Sequence, residues 1–266
     1  MKRIGVAATA IFTLVAVAVA IAAQTNVYGV TASTSPTKAG TAKKPVGLKL
    51  NFNYTVDEID GKRPAAIKKY SIDFNGIRVN GKKFKKCSAD QINSTGDPAT
   101  DSACPKDALV GTGSIVATVG SSDKEEDQSL NCFQTLKVYN APNRHATLFL
   151  EGKTPPEGYG FPRAGDEYCV INFGKAIDAR YVQDNSGTAL EFVVPDTVLH
   201  NVPGTTTAVR KVQSTIKRRY KLVRGKRQYY YESRGGCTKK GRAVTVSFTA
   251  ESGITQKAQT FAKCTR

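Results

Sequence analysis

Residues 48–55 read Leu48-Lys49-Leu50-Asn51-Phe52-Asn53-Tyr54-Thr55. The strict two-residue alternation puts Leu48, Leu50, Phe52 and Tyr54 on one face of an extended chain and the polar residues on the other, which fits a half-buried strand and not a helix. The same pattern recurs outward from this stretch. Tyr70, Ile72 and Phe74 alternate ahead of the turn signal Asn75-Gly76, and Asn80-Gly81 follows closely. Residues 114–119 alternate again, and further strands are expected over 133–139, 146–150, 170–182 and 189–194, the last two joined through Asp184-Asn185-Ser186-Gly187. The chain closes with Val244, Val246 and Phe248 inside 243–250, the Ser252-Gly253 turn, and a final strand reaching Cys264. Many short alternating strands separated by turn chemistry leave little room for a parallel sheet. The expected fold is all-β, a two-sheet sandwich or jelly roll of about ten to twelve strands.

The first 23 residues have a different character. Met1-Lys2-Arg3 is a short basic opening, and an apolar run from Ile4 to Ala23 follows, broken only by Gly5, Thr9 and Thr13. This reads as an export signal with a small-residue cleavage site at Ala20-Ile21-Ala22 or Val30-Thr31-Ala32, and an uncleaved anchor is the other reading of the same run. Residues 24–46 are mostly Thr, Ser, Ala, Gly, Lys and Pro, are read as lacking a hydrophobic period, and are expected to be a flexible linker. That leaves 47–266 as a single β domain, long enough to bury a substantial core.

Six cysteines fit an oxidising compartment: Cys87, Cys104, Cys132, Cys169, Cys237 and Cys264. Sequential pairing is expected, Cys87 with Cys104, Cys132 with Cys169 and Cys237 with Cys264. Each pair brackets a loop or hairpin whose ends a compact sheet brings together, so Cα separations below about 7 Å are required. Residues 88–103 are polar and long enough to need such a staple. Structural zinc fits poorly, because there is no CxxC pair and the two histidines, His145 and His200, lie far from any cysteine pair in sequence. Gly111 and Gly113 share a strand face, the mark of a close backbone approach or a bulge. A phosphate-cradling loop would need a Lys and a Ser or Thr that the pattern lacks.

A cysteine after Phe84-Lys85-Lys86, then Cys104-Pro105 with Val110-Gly111-Thr112-Gly113, then Cys132 ahead of Leu136-Lys137-Val138-Tyr139-Asn140, resembles a group of exported actinobacterial proteins over residues 45–266. The resemblance implies export and a disulfide framework. The residues that carry it are structural and bring no activity or cofactor.

Function must be sought in the charge. The chain carries 39 Lys and Arg against 22 Asp and Glu. Residues 207–242, TAVRKVQSTIKRRYKLVRGKRQYYYESRGGCTKKGR, hold thirteen of those cations and one acid. The first half fits a helical stripe (Val209, Val212, Ile216, Tyr220, Val223) as well as a strand face (Ala208, Val212, Ile216, Tyr220, Leu222). β-branched residues and the Gly225 turn favour a β-hairpin. On that reading Lys211, Lys217, Arg219 and Lys221 share a solvent face, Arg224, Lys226 and Arg227 crowd the turn, and Tyr229 and Tyr231 add stacking faces. Like charges within about a Debye length, roughly 8 Å, are relieved by an anionic partner. The expected partner is an acidic cell-wall polymer or an anionic lipid, with nucleic acid bound only non-specifically.

Catalytic constellations are weak. There is no G-x-S-x-G, and S-x-x-K matches such as those at 121–124 and 214–217 lack their companion motifs. The acidic stretch 121–128 does not have EF-hand spacing. Glu151, Asp166, Glu167 and Glu191 are the candidates for a carboxylate pair of the glycosidase type. The sequence therefore points to a non-enzymatic exported domain that holds an acidic surface and needs no cofactor, with a secreted glycan hydrolase and a purely structural envelope protein as alternatives.

Overall fold

In a computed structural model of the protein, residues 26–128, 130–153, 167–169 and 173–265 are described, so the proposed export signal lies outside them. The chain folds into strands β1 (Asn26–Ser35), β2 (Val46–Gly47), β3 (Lys49–Glu58), β4 (Ile67–Asn75) and β5 (Ile77–Val79), a helical turn α1 (Ala89–Asn93), then β6 (Leu109–Ser121), β7 (Leu130–Asn140), β8 (His145–Gly152), β9 (Glu167–Tyr168), β10 (Gly174–Gln183) and β11 (Gly187–Val193). A second helical turn, α2 (Asp196–Leu199), precedes β12 (Thr205–Ile216), β13 (Tyr220–Val223), β14 (Lys226–Tyr229), β15 (Tyr231–Ser233), β16 (Cys237–Thr238), β17 (Gly241–Ala250) and β18 (Thr255–Ala262). One large sheet runs β1-β3-β12-β6-β7-β8-β10-β11-β4-β17, with β16 and β18 paired to β17 and the short β9 parallel to β7. A three-stranded sheet β2-β15-β5 and a separate hairpin β13-β14 complete it.

A sheet with one apolar face must cover that face, and this one curls until its two ends meet. Phe52 on β3 packs edge-on against Phe74 on β4 with ring centres 5.8 Å apart, and Tyr28 on β1 stacks on Phe248 of β17 at 4.1 Å. The two layers of the expected sandwich are thus the facing halves of one antiparallel sheet. The alternation in residues 48–55 holds: Leu48, Leu50, Phe52 and Tyr54 are buried.

The expected flexible linker is corrected through both of its halves: Ala39 is buried with its N–H donating to Thr265 O at 2.7 Å, and Val46 already belongs to β2. Residues 26–35 form β1, paired in antiparallel register with β3 from Asn26 opposite Glu58 to Ser35 opposite Lys49. Its inward face is thin, with Tyr28, Val30 and Ala32 against the main core. On its outer face Asn51 and Asn53 donate to Ser33 and Thr31 at 3.1 and 3.3 Å, a cross-strand polar ladder that a composition reading takes for solvated chain. Residues 88–103 are also more than a polar loop. Ser88 caps α1, its Oγ accepting from Gln91 N at 3.2 Å, and Ile92 anchors a small satellite core with Cys87, Ala99 and Phe149.

All three disulfides pair sequentially, with Cα separations of 5.4, 4.8 and 5.7 Å. Gly113 is required where β6 meets β12, since a Cβ there would lie 2.2 Å from the Gln213 carbonyl oxygen, and a bulge falls between Leu109 and Gly111. The acidic stretch 121–128 wraps a buried arginine: Arg63 donates to the carbonyl oxygens of Asp127 and Ser121 at 2.6 and 2.7 Å.

With β1 part of the fold, those of its amides that bond to β3 resist hydrogen exchange and residues 26–35 resist limited proteolysis. Tyr28→Ala should lower stability by about 1.5–3 kcal/mol, the loss of a half-buried stacked ring. Denaturant unfolding of the variant beside exchange on the parent measures both, and free cleavage within 26–35 would contradict the assignment.

Candidate anion-binding surface

The basic segment folds as two units. Its first half is β12, a central strand between β3 and β6. A bulge between Val209 and Lys211 inserts Arg210 and reverses the alternation, so Thr207 and Val209 before it, and Val212, Ser214 and Ile216 after it, face the same interior. This phase slip produces the three-residue step from Val209 to Val212 that resembles helical spacing. Arg210 itself is held by Asp57 and Gln128, both at 2.8 Å.

The second half is the β13–β14 hairpin, closed by Arg224 and Gly225 with φ of 51° and 74°. Both are left-handed, as a two-residue turn that follows strand twist demands. Tyr220 pairs with Tyr229 and Leu222 with Arg227 on one face, and Lys221 with Gln228 and Val223 with Lys226 on the other. Arg224, Lys226 and Arg227 are exposed, and Leu222 beside them is 69% exposed. Arg227 lies 4.9 Å over the Tyr220 ring and Arg218 4.8 Å over that of Tyr229.

Several expected site residues are placed elsewhere. Lys211 is exposed but sits six residues up the chain from Lys217, about 20 Å along an extended strand, so it does not join the hairpin cluster. Arg219 and Lys221 are committed to Asp107, each at 3.2 Å, and Arg219 also donates to Leu109 O at 2.9 Å. Those two bonds hold the Asp107 carboxyl below the usual carboxylate range, Lys221 first. Tyr231 is a core residue and no stacking platform: its hydroxyl lies 3.0 Å from that of Tyr181, and its ring stacks on the fully buried Tyr230. Burial drives the hydroxyl pKa of both well upward. Tyr229 packs against Gly47, where a Cβ would come within 2.0 Å of the ring.

Beside the hairpin lies a polar cleft of about 450 Å³ that the sequence does not single out. Its walls come from β5, residues 80–86, the β7–β8 turn, β10, and Gln228 of β14. Arg78, Lys82, Lys86 and Arg144 line it, together with His145, and among the described residues no carboxylate does. A second space of about 110 Å³ lies inside the curled sheet among core side chains such as Phe52, Ile115, Leu148 and Val198.

Of the carboxylate candidates, Glu151 and Glu191 do not converge. Glu151 is opposite Gly174, while Glu191 is opposite Arg180, six residues further along β10 and on its other neighbour, about 20 Å away or more and beyond the separation a glycosidase uses. Glu151 is 3.4 Å from Lys153 and 3.7 Å from Lys137. Asp166 lies outside the described residues, and Glu167 is placed only as part of β9. Both histidines gain partners: His145 Nδ1 is 2.7 Å from Asp178, and His200 bridges the Thr205 carbonyl and Glu251. Among the described residues no group of three or more His, Cys, Asp and Glu could hold a metal, and no helix is long and apolar enough to cross a membrane.

Comparison of the chain with protein-family models, curated proteins and solved structures finds no match.

His200 yields a direct test. Nδ1 faces Thr205 O at 3.0 Å and Nε2 faces the Glu251 carboxylate at 2.9 Å, both acceptors, so only the imidazolium satisfies both contacts. The Thr205 carbonyl and then Glu251 raise its pKa above 6.5. A raised folded pKa means the contribution is present below the unfolded value, near 6.5, and is lost as pH climbs through the folded one. NMR titration should show the upward shift, and Glu251→Gln should reduce it. An unshifted His200 would contradict the contact.

Proposed function

We propose that the protein is an exported, non-enzymatic β domain that holds an acidic envelope polymer or anionic lipid through the β13–β14 hairpin. One observation carries this reading: the hairpin stands as its own two-stranded sheet, with Arg224, Lys226, Arg227 and the exposed Leu222 at its tip and no ion pair to any of those three cations among the described residues. Crowded exposed cations destabilise a fold by mutual repulsion unless an anion answers them, so their concentration on a projecting turn favours a partner over mere solubility. The three disulfides fit an oxidising compartment, and the apolar run ahead of Gln24 fits an export signal.

Binding of the full chain to an acidic polymer such as polyglycerol phosphate, and to phosphatidylglycerol vesicles, should fall steeply with salt. Reversing three charges with Arg224→Glu, Lys226→Glu and Arg227→Glu should weaken it about 100-fold or more, at about 1 kcal/mol per cation near an anionic surface. Leu222→Ser separates the two partners: a loss confined to vesicles points to insertion of the tip into lipid. Equal binding by parent and triple variant removes the hairpin from the function.

A further inference from the structure

The cleft between β5, residues 80–86 and the β7–β8 turn is a second and better built anion site. We propose that it binds a phosphorylated polyol or sugar unit, the phosphate held by Arg78, Lys82, Lys86 and Arg144 and the hydroxyls by the amides of Asn143 and Gln228. The hairpin cations are exposed at a turn, whereas these line a concave surface with a volume of about 450 Å³, the size of a small-molecule site.

Its backbone is fixed before any ligand arrives. Asn140 is buried and donates to the carbonyls of Gly81 and Lys85 at 3.0 and 2.9 Å, pinning the segment that carries Lys82 and Lys86. A Cβ at Gly81 would sit 2.2 Å from Asn140 Oδ1, so only glycine fits there. Asn80 ties the same segment to the hairpin, its side chain donating to Tyr229 O at 3.0 Å. Across the cleft Asn143 and Arg144 adopt left-handed φ of 54° and 64°, and Tyr181 N donates to Arg144 O at 2.8 Å. Binding then orders side chains only, which keeps its entropic cost small.

The charge selects the ligand class. None of the four cations has an ion pair among the described residues, and the neighbouring carboxylates are engaged elsewhere. Asp178 faces His145, and Glu232, opposite Arg78 across the strand pair, accepts from Tyr229 N at 3.2 Å and meets Arg234 at 3.1 Å. A neutral sugar leaves four like charges unanswered, and a single carboxylate offsets one. A phosphate brings up to two charges and three acceptor oxygens, and arginine engages it through two parallel bonds. The amides of Asn143 and Gln228 make no side-chain bond among the described residues, which leaves them for hydroxyl groups around the phosphate.

Titration calorimetry of the full chain with glycerol 3-phosphate, with glycerol, and with inorganic phosphate at fixed ionic strength tests the site. Saturable binding of glycerol 3-phosphate, weaker binding of phosphate and none of glycerol are expected. Arg78→Gln with Arg144→Gln should weaken glycerol 3-phosphate about 10- to 100-fold, the loss of charge-assisted bonds, at unchanged melting temperature because both side chains are exposed. The hairpin triple variant should bind the monomer normally, which keeps failure of this site distinct from failure of the hairpin reading. Polyglycerol phosphate binding more tightly per phosphate than the monomer marks a polymer repeat as the source, tighter phosphatidylglycerol vesicles mark a headgroup, and parity marks a free metabolite. Unsaturable binding, or equal affinity in the Gln variant, overturns the proposal.

Discussion

Everything in this fold depends on the seam where the two ends of the large sheet touch. Phe248 of β17 receives Tyr28 from β1 face to face, and Tyr54 of β3 and Tyr70 of β4 edge-on with ring centres 5.5 and 5.8 Å away. Stacked and edge-to-face rings are worth more than their area alone, and here the stacked pair joins Tyr28 to Phe248, residues from opposite ends of the fold's sequence. Without the seam the sheet would present an uncovered apolar face. With it, one sheet serves as both layers, and the loops need to hold little beyond their own shape.

That economy explains what was legible. A strand that buries one face must alternate, so β3, β4, β11 and β17 show in the residues themselves. β1 does not, because an edge strand closing a seam needs only Tyr28 and a few small neighbours, and Ser, Thr and Asn side chains complete it through bonds that composition cannot reveal. β12 was ambiguous for a definite reason: the bulge at Arg210 slips the alternation by one, and a slipped period of two imitates a period near 3.6 over a few residues.

The candidate sites divide in the same way. The hairpin cations are contiguous, so sequence finds them. It cannot tell that Asp107, more than 100 residues earlier, claims Arg219 and Lys221, or that two of the three consecutive tyrosines turn inward. The cleft cations are scattered over Arg78, Lys82, Lys86 and Arg144, and only the pairing of β7 with β8 and of β5 with β15 gathers them. The one local signal was the pair of turns, Asn80-Gly81 and Pro142-Asn143-Arg144-His145, each placing a cation at a tight bend.

Net charge also overstates the anion-binding surface, because several arginines complete the backbone. Arg242 is fully buried and donates to the carbonyls of Asn75 and Gly235 at 2.6 and 2.9 Å and to the Ser233 hydroxyl, and burial lowers its pKa to about 10. Arg63 does the same for Asp127 and Ser121, and Arg219 for Leu109. A curled sheet leaves carbonyls unpaired where turns and edges meet, and a buried acceptor without a partner costs about 1–3 kcal/mol. Arginine, with five donors in a planar fork, satisfies two or three at once, whereas lysine offers one compact ammonium. Such cations cannot leave the backbone for a ligand. The free positive charge is therefore a subset of the total, and part of it lies on either side of the contact where Asn80 donates to Tyr229 O and Gln228 of the hairpin lines the cleft.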